Sequence, residues 1–216
     1  MTTKKVSQKI QKAYKMHVLT EGERPKSIFL FCKAIKITET AFYENFTSFE
    51  QIESDYLSDA FHHMYDEIKQ DDHFESYSVR EKVLSVLFTH FQSLTDDRSY
   101  ILAITKGQSD MKQKFFTWKS YRKAVLEGMQ DILSQAGEAD NIPDRLVLTP
   151  RYKDILWLNV GFVFNYWIND TSKGFENTDA CIEKSVNLCL DLLQKNTLDH
   201  AFDFGKFLFK EKIHNN

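Results

Sequence analysis

Apolar side chains recur along this chain at three- and four-residue steps, and that spacing predicts helices over most of its length. Residues 6–18 set Val6, Ile10, Ala13, Tyr14 and Val18 on one face with lysines between them, a first amphipathic helix. Gly22 and Pro25 end it, since glycine suits a helix exit and proline cannot continue one. The clearest run is Ile52, Tyr56, Leu57, Ala60, Phe61, Met64, Tyr65 and Ile68. Further helices are expected at 78–94 (Val79, Val83, Leu84, Leu87, Phe88, Phe91) and at 110–135 (Met111, Phe115, Trp118, Tyr121, Val125, Met129, Ile132). Residues 136–149 read as the longest loop. Late helices follow at 150–169, at 177–195 (Ile182, Val186, Cys189, Leu190, Leu193) and at 198–212 (Leu198, Phe202, Phe207, Leu208).

The stretch 150–169 differs from the rest. Eleven apolar side chains between Tyr152 and Trp167 surround it almost completely. A helix apolar on every side must be buried on every side, so a four-helix core is expected to cover one side and a second subunit the other. A homodimer through the helices at 150–169 and 177–195 is the expectation.

Between the first and the long fourth helix lie two short ones. Ser27 caps a second helix carrying Ile28, Phe31 and Ala34. Thr38 caps a third over 39–45, without a full capping box because Ala41 stands at its third position. Ser48 caps the fourth helix, with Gln51 completing a conservative capping box. Only 7 Gly and 3 Pro occur in 216 residues, too few turn formers for many short strands. The fold class is therefore all-α, with about nine or ten helices.

Composition adds limits. The opening MTTKKVSQK has no apolar core of a signal peptide. The most apolar stretch, 155–167, is broken by Asn159, Gly161 and Asn165 and falls short of the roughly 20 residues that span a bilayer. No stable membrane insertion is expected, and the chain reads as a soluble, cytoplasmic protein. Cys32, Cys181 and Cys189 form no C-x-x-C motif and read as small buried residues. Residues 1–50 carry nine bases and five acids, net +4, against −3 for the whole chain, so the remainder is −7. A basic head on an acidic body suits contact with a polyanion; an ordinary solvated surface is the other reading.

Residues 22–52 hold the functional signal. Two short helices joined by a tight turn and followed by a long helix describe a helix-turn-helix. Ile28, Phe31 and Ile37 supply its small core, Cys32 permits close crossing, and Phe42 and Phe46 anchor the third helix. Thr38, Thr40, Tyr43 and Glu44 then face outward, where a groove would lie.

This segment resembles the TetR family of regulators. The resemblance rests on Thr38, Phe42, Tyr43, Phe46, Ser48 and Glu50, in order and spacing, with a long helix directly after. The later runs Trp167-Ile168-Asn169-Asp170-Thr171-Ser172 and Phe175-Glu176-Asn177-Thr178 are also similar to C-terminal domains of some members. The resemblance implies a helix-turn-helix domain over 1–50 and a helical ligand-binding and dimerisation domain over 51–216. It implies a third helix in the major groove of an operator duplex, with Thr38 and Tyr43 on phosphates, Thr40 and Glu44 near base edges, and Lys26, Ser27 and Lys36 on the backbone. In a dimer the two recognition helices would lie roughly 34–36 Å apart. The chain departs from the family pattern at Lys36, where glycine is usual, and at Phe49, often lysine. Glu39 and Glu44 repel phosphate unless they accept from cytosine.

Other candidates are weaker. His62, His63 and Asp66 supply too few ligands, pointing in different directions, for a metal. His90 reads as a core histidine. No nucleophile elbow, phosphate loop, dinucleotide fingerprint or metalloprotease motif occurs, so neither an enzyme nor a cofactor is expected. Trp118, Tyr121, Phe162 and Tyr166 could line a cavity for a small apolar or amphipathic effector, or could simply be core. The leading expectation is a ligand-controlled DNA-binding regulator, a repressor. A second reading is a relative that has lost DNA binding and holds a lipid or isoprenoid, suggested by the acidic recognition helix and the apolar last helix. A third is a dimer for protein contacts alone.

Overall fold

The computed structural model describes residues 3–106, 115, 117–135 and 150–193. Among them are only helices and their connections: α1 (Thr3–Glu21), α2 (Ile28–Ala34), α3 (Glu39–Tyr43), α4 (Phe49–Ile68), α5 (Val79–Leu94), α6 (Arg98–Thr105), α7 (Lys119–Ser134), α8 (Pro150–Asn169) and α9 (Glu176–Leu193). Short 3-10 turns stand at Phe74–Ser76, Thr95–Asp97 and Lys173–Phe175. The all-α class expected from the spacing is what the chain adopts.

Two compact units divide the chain, Met1–Ile68 with Thr89–Val125 and Lys69–Phe88 with Leu126–Asn216. In the first, Ile10, Tyr14 and Val18 form a buried stripe at four-residue steps on α1. Phe31 and Phe49 meet Tyr14 of that stripe, Phe42 and Phe46 extend the cluster, and Leu57 and Phe61 are buried along α4. Tyr14 stacks on Phe49 at 5.1 Å, while Phe31 sets its edge to Tyr14, Phe42 and Phe49 at 6.2, 6.3 and 5.6 Å. Offset and edge contacts of this kind suit the ring quadrupoles and add stability beyond burial.

The short α6 has no counterpart in the sequence expectation. At eight residues it is too brief to display a helical period. It packs on α1 through Tyr100, whose ring meets Tyr14 edge-on at 6.5 Å. Asp97, just before it, accepts from Lys15 at 2.6 Å and from the Tyr56 hydroxyl. Within the helix expected at 110–135, residues 115 and 117 are helical, Trp118 is not, and α7 runs on from Lys119. The beginning of that expected helix, the 136–149 loop and the helix expected at 198–212 lie outside the described residues.

In the second unit α8 packs along α9, with Trp157, Val160, Phe164 and Trp167 of α8 and Ile182, Val186 and Leu190 of α9 buried. Asp170 builds the connection between them. One carboxylate oxygen accepts from the Ser172 N–H and hydroxyl at 2.8 and 2.7 Å. The other accepts from the Thr178 N–H and hydroxyl at 2.8 and 2.6 Å. These four donors hold its carboxyl down at about 2, although its burial pulls the other way. Arg80 of α5 reaches α9, bonding Asn187 and pairing with Asp191 at 2.7 Å.

Candidate nucleic-acid interface

The helix-turn-helix begins with its caps. The Ser27 hydroxyl accepts from the Leu30 N–H at 3.2 Å and the Thr38 hydroxyl from the Ala41 N–H at 3.1 Å, as the sequence predicts for N-caps. Both hydroxyls keep their own proton to donate outward, toward a phosphate for example. Ser48 caps α4 by accepting from the Gln51 N–H at 3.2 Å. Gln51 reaches back to Thr47 rather than to Ser48 itself, accepting from its N–H at 2.8 Å, so the capping box is shifted by one residue.

The turn between α2 and α3 closes on Lys36. Its φ is 55°, a left-handed conformation in a residue with a Cβ. The Ile37 N–H reaches the Cys32 carbonyl at 3.0 Å and the Lys36 N–H the Lys33 carbonyl at 3.4 Å. That pair of bonds is the Schellman ending, with lysine in the place glycine usually fills. The departure seen in the sequence therefore keeps the turn and carries conformational strain. Gly22 ends α1 in the same region at φ 71°, its N–H on the Val18 carbonyl at 2.9 Å.

Anchoring follows from the aromatic residues. Phe42 is buried under α3, while Thr38, Thr40, Tyr43 and Glu44 all lie on its exposed side, Tyr43 being 53% exposed. Lys26, Lys33 and Lys36 are exposed as well, and Ser27 is half-buried. Lys33 of α2 joins this surface. Phe49, noted as standing where lysine is frequent, is a core residue of the aromatic cluster and presents no charge outward. Ile28 and Ile37 are only half-buried, leaving Phe31 as the centre of the small core.

Not all nine bases of the head are available. Arg24 grips Glu53 through Nε at 2.8 Å and Nη2 at 2.7 Å and also bonds Glu50. The Tyr14 hydroxyl donates to the same Glu53 carboxylate at 2.7 Å. Burial and that carboxylate together raise the Tyr14 pKa, so the phenol stays protonated. Backbone and side-chain hydrogen bonds and the facing guanidinium hold Glu50 below its ordinary value against the effect of burial. Arg24 and Lys15 thus orient helices rather than meet a polyanion. The signal for this clamp was in the sequence: Glu53 is a carboxylate one turn ahead of the inward positions Tyr56 and Leu57.

Of the four aromatic residues expected to line an effector cavity, two are buried and two are exposed. Trp118 and Tyr121 are fully buried in the first unit. Phe162 and Tyr166 belong to the second and are 56% and 40% exposed on α8. A helix apolar all round carries no mark of which side meets its own core. Leu158 on α8 and Leu188 and Leu192 on α9 are exposed too. His62 and His63 are exposed, His63 pairing with Glu67 at 3.4 Å.

Comparison with known proteins adds one finding. A family model described as the tetracyclin repressor-like C-terminal domain matches residues 82–208. No curated protein and no solved structure matches the chain.

Proposed function

The chain belongs to the tetracyclin repressor-like, or TetR, family, and on that premise we propose that it is a DNA-binding transcriptional repressor controlled by a small apolar effector. The observation that carries the proposal is the exposed row Thr38, Thr40, Tyr43 and Glu44 on α3, set over a buried Phe42 and flanked by exposed Lys26, Lys33 and Lys36. The family match and this row lie in different parts of the chain, so they support the reading independently. Residues 1–50 act as the DNA-binding domain and residues 51–216 as the ligand-binding and dimerisation domain. Lys26, Ser27, Lys36, Thr38 and Tyr43 hold phosphates. Thr40 and Glu44 meet base edges, Glu44 accepting from a cytosine amino group.

Two copies associate through α8 and α9. The exposed Leu158, Phe162, Tyr166, Leu188 and Leu192 support this, because apolar side chains clustered on paired helices gain stability when covered. Trp118 and Tyr121 remain the proposed effector residues, and Phe162 and Tyr166 pass to the dimer face.

Titration of a labelled duplex from the region upstream of its own gene, at two salt concentrations, tests the function. Binding that weakens steeply with salt is the expected result, since neutralised phosphates release counterions. No binding at the lower salt would remove the DNA role and leave a family member that holds a lipid or a protein partner.

A further inference from the structure

His90 of α5 lies wholly inside the first unit, among Phe61 at 5.2 Å, Phe91 at 5.5 Å and Tyr121 at 5.6 Å between ring centroids. Phe115 and Trp118 extend the aromatic wall beyond Tyr121, both at 6.3 Å from it. One imidazole nitrogen, Nε2, is 2.6 Å from the Tyr121 hydroxyl. The other, Nδ1, is buried with no hydrogen-bond partner. His90, expected as a core histidine, is a core histidine with a partner at one ring nitrogen only. Burial pushes its pKa down to about 3 and raises that of Tyr121, so both groups are neutral. A phenol is a stronger acid than an imidazole N–H, so the Tyr121 hydroxyl donates to Nε2 and the histidine proton sits on Nδ1. A buried N–H without an acceptor keeps its full desolvation penalty. In a cluster with so few polar groups, that is a position to be filled by an acceptor from outside the chain.

We propose that the aromatic cluster around His90 is the effector site and that it takes a flat, uncharged aromatic molecule with one carbonyl-type oxygen accepting from His90 Nδ1. Charged ligands are disfavoured because the neutral imidazole gives no counter-charge inside an apolar wall. Opening the site parts α7 from α4, and the helix-turn-helix is wired to that junction. The Ser54 hydroxyl of α4 accepts from the N–H groups of Ser120 and Tyr121 at 3.0 and 3.2 Å, capping the first turn of α7 from a different helix. Its neighbour Glu53 is the carboxylate that Arg24 and Tyr14 hold. A molecule that lifts Tyr121 away therefore pulls on the residue next to the clamp, and any ligand shifts the equilibrium by its preference for the opened state. The site itself stands apart from DNA binding; only the effect of its occupancy on DNA rests on the function proposed above.

The test uses prodan, a neutral naphthyl ketone whose emission shifts blue in apolar surroundings, and its analogue with a propyl group replacing the propionyl. The unmodified full chain should bind the ketone roughly tenfold tighter than the analogue, one hydrogen bond's worth. On His90→Phe the two should bind alike. Ketone and analogue binding equally to the unmodified chain, or no blue shift at all, overturns the proposal, and that comparison does not depend on a variant folding. Ketone preference retained in His90→Phe overturns it as well. Should the chain discriminate the two molecules through His90 yet bind no DNA, the site stands and the repressor reading falls.

Discussion

The Arg24 guanidinium holds the carboxylate of Glu53 at two points, and Glu53 is fully buried. The two residues are 29 positions apart, so this contact ties the entry to α2 onto α4. A buried pair is costly to break from one side, because the remaining charge keeps its desolvation penalty. Arg24→Leu should lower stability by about 3 kcal/mol, measured by urea unfolding. Arg24→Lys should recover only part of it, since an ammonium lacks the planar fork. A loss below the measurement error for Arg24→Leu would show that the clamp does not hold the helix-turn-helix.

Lys36 sits at φ 55° in the turn between α2 and α3. Glycine there relieves the strain, so Lys36→Gly should raise stability by about 1 kcal/mol while Lys36→Ala should not. Both should weaken DNA binding if Lys36 meets a phosphate. Thermal unfolding and the duplex titration read the two effects separately.

Asp170 has a carboxyl pKa of about 2 in the folded chain against an ordinary 3.8. The folded state therefore favours the ionised form, and the stabilisation is fully present above the ordinary value. It is lost as pH falls through the folded value, because both states are then protonated. The shift corresponds to about 2 kcal/mol. Asp170→Asn should cost about that much at neutral pH, and the difference from the unmodified chain should vanish toward a pH of about 2. A gap between the two chains that stays constant across this range would contradict the assignment.

Phe162 and Leu188 are exposed in the single chain. Phe162→Glu with Leu188→Glu should turn a dimer into a monomer in sedimentation velocity, with helical content unchanged. A dimer that survives both changes would place the subunit contact elsewhere.

Lys26→Ala should weaken binding to all duplexes alike and lower the salt slope by about 1, the signature of a lost phosphate contact. Thr40→Ala and Glu44→Ala should instead change which sequences are preferred. Uniform weakening by Glu44→Ala, or tighter binding to every duplex, would remove its base-edge role.

Local spacing was enough to read the long helices α1, α4, α5, α8 and α9 and the caps Ser27, Thr38 and Ser48. Each depends on residues within a turn of one another, so periodicity and capping chemistry are written in the sequence itself. The outward set Thr38, Thr40, Tyr43 and Glu44 followed from the same arithmetic, once Phe42 and Phe46 were taken as anchors. The tertiary structure decided whatever depends on which face meets which partner. It turned Glu53 inward against Arg24, set Phe49 in the core, formed α6 against α1, and paired His90 with Tyr121, 31 positions away, leaving Nδ1 alone. It also sent Trp118 and Tyr121 inside and Phe162 and Tyr166 outward. The reason is physical: side-chain spacing says which residues share a face, while burial belongs to the crossing of helices far apart in the chain.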